Sequence, residues 1–181
     1  MNIPNLLTLL RMILSPVIVI LLIQGAFFKA LIVFIVAGIT DALDGFLARV
    51  LHQQTVLGAY LDPIADKALL ASSFLTLSIL HIIPGWLAVI VISRDFIILL
   101  GISVLSIMSI TVKIRPLFVS RVTTALQLIT VLSALSARCI PGGGFEWWLS
   151  AIYWVTAFFT IVSGLSYMAR GVALINRAGK E

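Results

Sequence analysis

Asp41-Ala42-Leu43-Asp44-Gly45-Phe46-Leu47-Ala48-Arg49, then eight residues, then Gly58-Ala59-Tyr60-Leu61-Asp62-Pro63-Ile64-Ala65-Asp66, is the stretch on which the reading of this chain turns. Four of the seven acidic residues in the sequence fall within it. They lie in or beside apolar runs long enough to cross a bilayer. A carboxylate at membrane depth is costly unless it is paired, hydrated or metal-bound, so its default reading is functional. Four together would repel one another at neutral pH, and one or two divalent cations are the simplest means of holding them ionised side by side. Hard oxygen donors suit Mg²⁺ or Mn²⁺, and paired metals are a common solution for phosphoryl chemistry. Arg49 follows the first pair and is available for a phosphate.

Outward from this stretch the chain is apolar. Hydrophobic residues make up 61% of the 181 positions and charged residues 10%, against roughly 25% charged in a soluble domain. The composition indicates an integral membrane protein, read as a single domain over residues 1–181 with short loops. Six apolar segments can be drawn, about Leu6–Gln24, Phe28–Leu51, Ile64–Ile83, Trp86–Ile110, Leu117–Ile140 and Trp147–Met168. Chain breakers separate several of them: Gln24-Gly25, Pro84-Gly85 and Pro141-Gly142-Gly143-Gly144. The expected fold is all-α and polytopic, with six transmembrane helices. The first segment has no basic residues ahead of it and no small-residue cleavage site, so it reads as a retained span.

The net charge of +5 does not point to nucleic acid, because the basic residues flank apolar spans. Arg11, Arg49, Lys67, Lys113, Arg115, Arg121, Arg170, Arg177 and Lys180 fall on one side of a six-span topology. Lys29 and Arg138 fall on the other, and Arg94 lies inside the fourth span. That bias puts both termini and the aspartates on the cytoplasmic side. Trp86, Trp147 and Trp148 then sit at the opposite interface. Spacings of three and four residues put Asp41 with Asp44, and Asp62 with Asp66, on one helix face each where those residues are helical. Gly45 and Gly58 flank the cluster and allow close approach of a backbone or a flat ligand. Pro63 suits the first turn of the third span. Arg94-Asp95 reads as a structural intramembrane pair. Cys139 reads as a small packed residue, and His52 and His81 are too far apart in topology to share a metal.

The pattern Asp41-x2-Asp44-Gly45-x2-Ala48-Arg49-x8-Gly58-x3-Asp62-x3-Asp66 resembles the complete signature of the CDP-alcohol phosphotransferase family, with all eight positions matching. The resemblance extends through the opening Asn2-Ile3-Pro4-Asn5-Leu6-Leu7-Thr8-Leu9-Leu10-Arg11 and the stretch Asp62–Lys67. It implies that Asp41, Asp44, Asp62 and Asp66 bind two divalent ions, Mg²⁺ or Mn²⁺. It implies that Gly45, Ala48, Arg49 and Gly58 shape the CDP site, with Asp44, Asn5 and Thr8 near the nucleotide. Asp66 is the implied general base, taking the proton of an acceptor hydroxyl that attacks the lipid-bearing phosphorus of CDP-diacylglycerol and displaces CMP. Homodimers are usual in the family, and the charge bias makes the cytoplasmic membrane the expected location of this chain.

Two branches of the family are resembled. The opening, Asp62–Lys67 and Ser163-Gly164 resemble the phosphatidylglycerophosphate synthases, whose acceptor is glycerol 3-phosphate. Ser93-Arg94-Asp95 and Arg115-Pro116-x2-Val119-Ser120-Arg121-x2-Thr124-Ala125-x-Gln127-Leu128 resemble the eukaryote-type cardiolipin synthases, whose acceptor is phosphatidylglycerol. Where the first branch usually has Arg-Glu and Gly-Lys, this chain has Arg94-Asp95 and Ser120-Arg121. Glycerol 3-phosphate is the expected acceptor, with phosphatidylglycerol as the alternative. Lys113, Arg115 and Arg121 would hold the acceptor phosphate in either case. A reading of another class treats the aspartates as the cation pathway of a transporter.

Overall fold

The computed structural model describes residues 3–50, 56–107, 118–140 and 146–178, with side chains described over 9–41, 65–101, 118–140 and 146–172. It contains six α-helices: α1 Ile3–Ile23, α2 Phe27–Val50, α3 Val56–Ile79, α4 Gly85–Ile107, α5 Phe118–Cys139 and α6 Glu146–Ala178. No strand occurs among the described residues. The all-α expectation therefore holds.

Helix ends follow the expected segments within a few residues, with two exceptions. Helix α3 begins at Val56, eight residues ahead of the apolar run, so Pro63 lies inside the helix and not in its first turn. Helix α6 continues to Ala178, well past the expected end at Met168. Both extensions run through charged residues, which end an apolar window but not a helix.

Two of the helix ends show why the chain turns where it does. After α1, the N–H of Gly25 donates to Leu22 O at 3.0 Å and that of Ala26 to Leu21 O at 2.9 Å. This is the paired closure of a Schellman cap, and Gly25 takes the left-handed conformation it needs, φ 70°. After α3 the same closure recurs, His81 N to Ser78 O at 3.0 Å and Ile82 N to Leu77 O at 2.9 Å. Here the left-handed position is held by His81, φ 55°.

The chain packs as two units, Met1–Gly85 with Val131–Phe145, and Trp86–Thr130 with Glu146–Glu181. In the first, α1 packs against both α2 and α3. Its core is Ile18, Leu22, Phe34, Leu69, Phe74 and Leu77, all buried. Ser15 Oγ on α1 and Ser72 Oγ on α3 share a hydrogen bond of 3.0 Å. In the second unit hydroxyls tie α5 to α6: Thr123 donates to Phe159 O at 3.1 Å, and Thr130 and Thr156 pair at 2.8 Å.

Beside the apolar core, both units bury hydroxyls and expose large apolar side chains, unlike a water-soluble protein. Thr123, Gln127, Thr130, Thr156, Thr160 and Ser163 are buried, while Ile13, Ile23, Phe28, Val89, Phe96, Trp147, Trp154 and Phe158 are exposed. A water-facing surface would not gather large apolar side chains in this way, whereas hydroxyl contacts between helices with apolar outer faces suit a lipid solvent. Helices Phe118–Cys139 and Glu146–Val172 are long and apolar enough to cross a membrane over their described residues. Of the six spans expected, these two helices pass that measure over their described residues, and α1 offers the shorter apolar stretch Leu9–Ile23.

Candidate active site

Helices α2 and α3 each carry one signature pair, and both pairs fall within helix. Positions 41, 44, 45 and 48 follow the i, i+3, i+4, i+7 spacing of one helix face, and 58, 62 and 66 follow i, i+4, i+8. The backbone thus gives α2 and α3 one signature-bearing face each.

Asp41 and Asp66 are brought together by a residue from the third helix of the unit. Arg11 on α1 is wholly buried. Its Nη1 lies 2.9 Å from Asp41 Oδ1 and also donates to Asp66 Oδ1. A single guanidinium nitrogen therefore bridges one carboxylate oxygen from α2 and one from α3. The side chains of Asp41 and Asp66 are 44% and 37% exposed, against 1% for Arg11. The cation is at the back of the cluster and the carboxylates face outward, where a ligand can reach them.

This donor set fits a hard divalent cation. The two carboxylates supply oxygens from different helices and already converge on one positive charge. Among the described residues no group of three or more His, Cys, Asp and Glu is gathered as a metal site. Asp44 and Asp62 complete the expected set in sequence, and their side chains lie outside the described ones. So do those of Asn5, Thr8, Gly45, Ala48, Arg49 and Gly58, all on α1, α2 or α3. Lys113 and Arg115 lie outside the described residues altogether.

Arg121, the remaining basic residue expected at the acceptor, is exposed in the first turns of α5 in the second unit. Its neighbour Ser120, partly exposed itself, joins a cluster centred on a buried arginine. Arg94 on α4 is 5% exposed. Its Nη1 donates to Asp95 Oδ1 at 2.6 Å, and its Nη2 donates to Ser120 Oγ at 2.7 Å and Ser163 Oγ at 2.8 Å. One side chain thus ties α4, α5 and α6, as expected of a structural intramembrane pair, and its reach goes beyond that pair. Of the positions at which the sequence is compared with the glycerol 3-phosphate branch, 94, 95 and 120 meet in this network, while Arg121 is exposed beside it. A Cβ on Gly164 would sit 3.5 Å from Arg94 Cγ, in ordinary contact.

Arg11 is the site residue that sequence reasoning missed. In the sequence it reads as one of the charges that set orientation. The signal was present: it stands alone as a charge within the first apolar run, where an arginine needs a carboxylate partner.

Comparison with known proteins matches residues 1–162 to the family described as CDP-alcohol phosphatidyltransferase. Among curated proteins, cardiolipin synthase (CMP-forming) of Rattus norvegicus is 35% identical, over 94% of this chain and 61% of its own length. The Homo sapiens protein of the same description is also 35% identical, over 94% of this chain and 62% of its own. The chain thus spans about three-fifths of these relatives. The CDP-diacylglycerol–glycerol-3-phosphate 3-phosphatidyltransferase of Bacillus subtilis is 32% identical over 93% of this chain and 94% of its own length.

Proposed function

The chain belongs to the CDP-alcohol phosphatidyltransferase family, and on that premise we propose that it transfers the phosphatidyl group of CDP-diacylglycerol to a hydroxyl of a phosphoglycerol acceptor, releasing CMP. The observation that carries this reading is the convergence of Asp41 and Asp66, two of the signature positions, on one point at the junction of three helices. Asp41, Asp44, Asp62 and Asp66 would hold one or two Mg²⁺ or Mn²⁺ ions. When bound, such ions offset the charge of the diphosphate and of the leaving CMP. Asn5, Thr8, Asp44, Gly45, Ala48, Arg49 and Gly58 would seat the CDP group, and the exposed apolar helix faces would carry the acyl chains.

Asp66 is the general base of this proposal. Its half-exposed carboxylate takes the proton of the acceptor hydroxyl, whose oxygen forms a new bond to the lipid-bearing phosphorus. The bond from that phosphorus to the CMP oxygen breaks, and CMP leaves with the electron pair. Asp66→Asn removes the base while keeping shape, and CMP release should fall by about 10²-fold or more in protein that still elutes as a folded species. Near-normal release would take Asp66 out of the mechanism. Excess chelator should stop CMP release and added Mn²⁺ or Mg²⁺ should restore it; full activity in chelator would remove the metal. Ion flux without CMP release would instead support a cation pathway through the aspartates.

Phosphatidylglycerol is the acceptor we favour, which makes the reaction cardiolipin synthesis. Ser120 accepts from Arg94, and Arg94 pairs with Asp95. These three residues, where the sequence follows the cardiolipin synthases, belong to one network, which also takes in Ser163 from a stretch that follows the other branch. The identity to the rat and human proteins of that description supports the same reading. The second reading, glycerol 3-phosphate, is the one expected from the N-terminal stretch. It is supported by the Bacillus subtilis relative, which this chain covers almost end to end. Lys113, Arg115 and Arg121 would receive the acceptor phosphate under both. The bias of basic residues supports a cytoplasmic-facing site with both termini on that side, and the proposal includes the homodimer usual in the family.

A further inference from the structure

The position of Arg11 raises a question that the aspartates alone do not. A guanidinium buried to 1% exposure is held in place by two carboxylates that are each more than one-third exposed. Those carboxylates are two of the proposed metal ligands. One nitrogen, Nη1, contacts Oδ1 of both, so it stands where a cation shared by α2 and α3 would be expected. A second tie between α1 and α3, the Ser15–Ser72 hydrogen bond, lies one helical turn further along α1. Helix α1 is therefore tied to α3 near Arg11 by a contact that does not depend on the arginine's charge.

We infer that Arg11 is a resident counter-cation of the carboxylate cluster: it holds Asp41 and Asp66 together before any divalent ion arrives, and it weakens the binding of that ion. Two facing carboxylates without a cation repel each other and force α2 and α3 apart. A fixed arginine removes that repulsion and leaves the site assembled while metal-free. The same positive charge opposes a divalent cation bound to the same carboxylates, which keeps metal affinity lower than four aspartates alone would give. Arg11 is a positioning residue, acting on substrate only through the aspartates. The inference rests on the proposed metal reading, and the test separates the two.

The test measures Mn²⁺ binding to the full chain in detergent or nanodiscs, by titration calorimetry or by loss of the free-ion resonance signal. It is paired with thermal midpoints with and without Mn²⁺. Wild-type protein should bind Mn²⁺. Arg11→Gln should bind it about tenfold tighter or more, since a unit positive charge a few ångströms away has been removed. Its metal-free midpoint should drop, and Mn²⁺ should raise the midpoint by more than it does in wild type. A purely structural arginine would lower both midpoints equally and leave the metal increment unchanged. Unchanged or weaker Mn²⁺ affinity in folded Arg11→Gln overturns the inference while leaving the metal reading intact. Absence of Mn²⁺ binding by wild type overturns the metal reading, and the inference with it. Where Arg11→Gln folds neither with nor without Mn²⁺, Arg11→Lys decides. It keeps the charge, so wild-type affinity supports the counter-cation role and lost affinity in folded protein overturns it.

Discussion

Arg94 shows at the scale of a single residue what an ionised group needs in an apolar interior. Its guanidinium reaches Asp95, Ser120 and Ser163, yet its buried Nε has no hydrogen-bond partner among the described residues. Asp95 provides the balancing charge, with its side chain 11% exposed. Replacing it by alanine leaves a buried cation without that balance, and such losses cost about 3–5 kcal/mol. Asp95→Ala should therefore lower the thermal midpoint sharply in detergent, and an unchanged midpoint would show that the hydroxyls alone suffice. The pair was legible in the sequence as an intramembrane ion pair because its members are adjacent. Its extension to residues 120 and 163 was not, since contacts between residues 26 and 69 positions apart leave no trace in local spacing. The same limit hid the Arg11 bridge to Asp66, which spans 55 positions. The aspartates themselves were legible because carboxylates are rare in apolar sequence and their spacing is that of a helix face.

At the scale of the element, the six apolar runs gave the helices nearly as they are. Breakers worked where a residue has a physical reason to stop a helix, as Gly25 does with its left-handed backbone. The expected helix start at Pro63 fails, since α3 begins at Val56 and passes through it, because a proline inside a long helix loses a hydrogen bond without ending the helix. The cap at His81 is the local compromise. The position calls for glycine, yet it holds a side chain at φ 55°, a conformation that costs an L-residue roughly 1–2 kcal/mol. His81 is exposed, so its ring has little packing to lose. His81→Gly should stabilise the protein by up to about 1 kcal/mol, less than the relieved strain because glycine is freer in the unfolded chain. A fall in the midpoint on this substitution would mean that the imidazole makes a contact worth more than the strain.

At the scale of the whole molecule, composition and the exposed apolar faces agree. Large apolar side chains cover the outer faces as well as filling the core, the buried hydroxyls and the buried arginine of each unit face inward, and the carboxylates of Asp41 and Asp66 are partly exposed. Such a protein suits a substrate whose chains belong in lipid and whose diphosphate needs cations. The family is legible from eight residues, and the match over residues 1–162 bears it out. The acceptor is less legible, because both proposed acceptors carry a phosphoglycerol, and the basic residues proposed to receive it would answer to either. The measurement that bears most directly on the account is CMP release by the purified chain with CDP-diacylglycerol and Mn²⁺ or Mg²⁺, comparing added phosphatidylglycerol with added glycerol 3-phosphate. The account predicts CMP release that depends on phosphatidylglycerol and yields cardiolipin. Release with glycerol 3-phosphate alone would contradict the favoured acceptor and return the chain to phosphatidylglycerophosphate synthesis, and no release with either would contradict the proposed reaction itself.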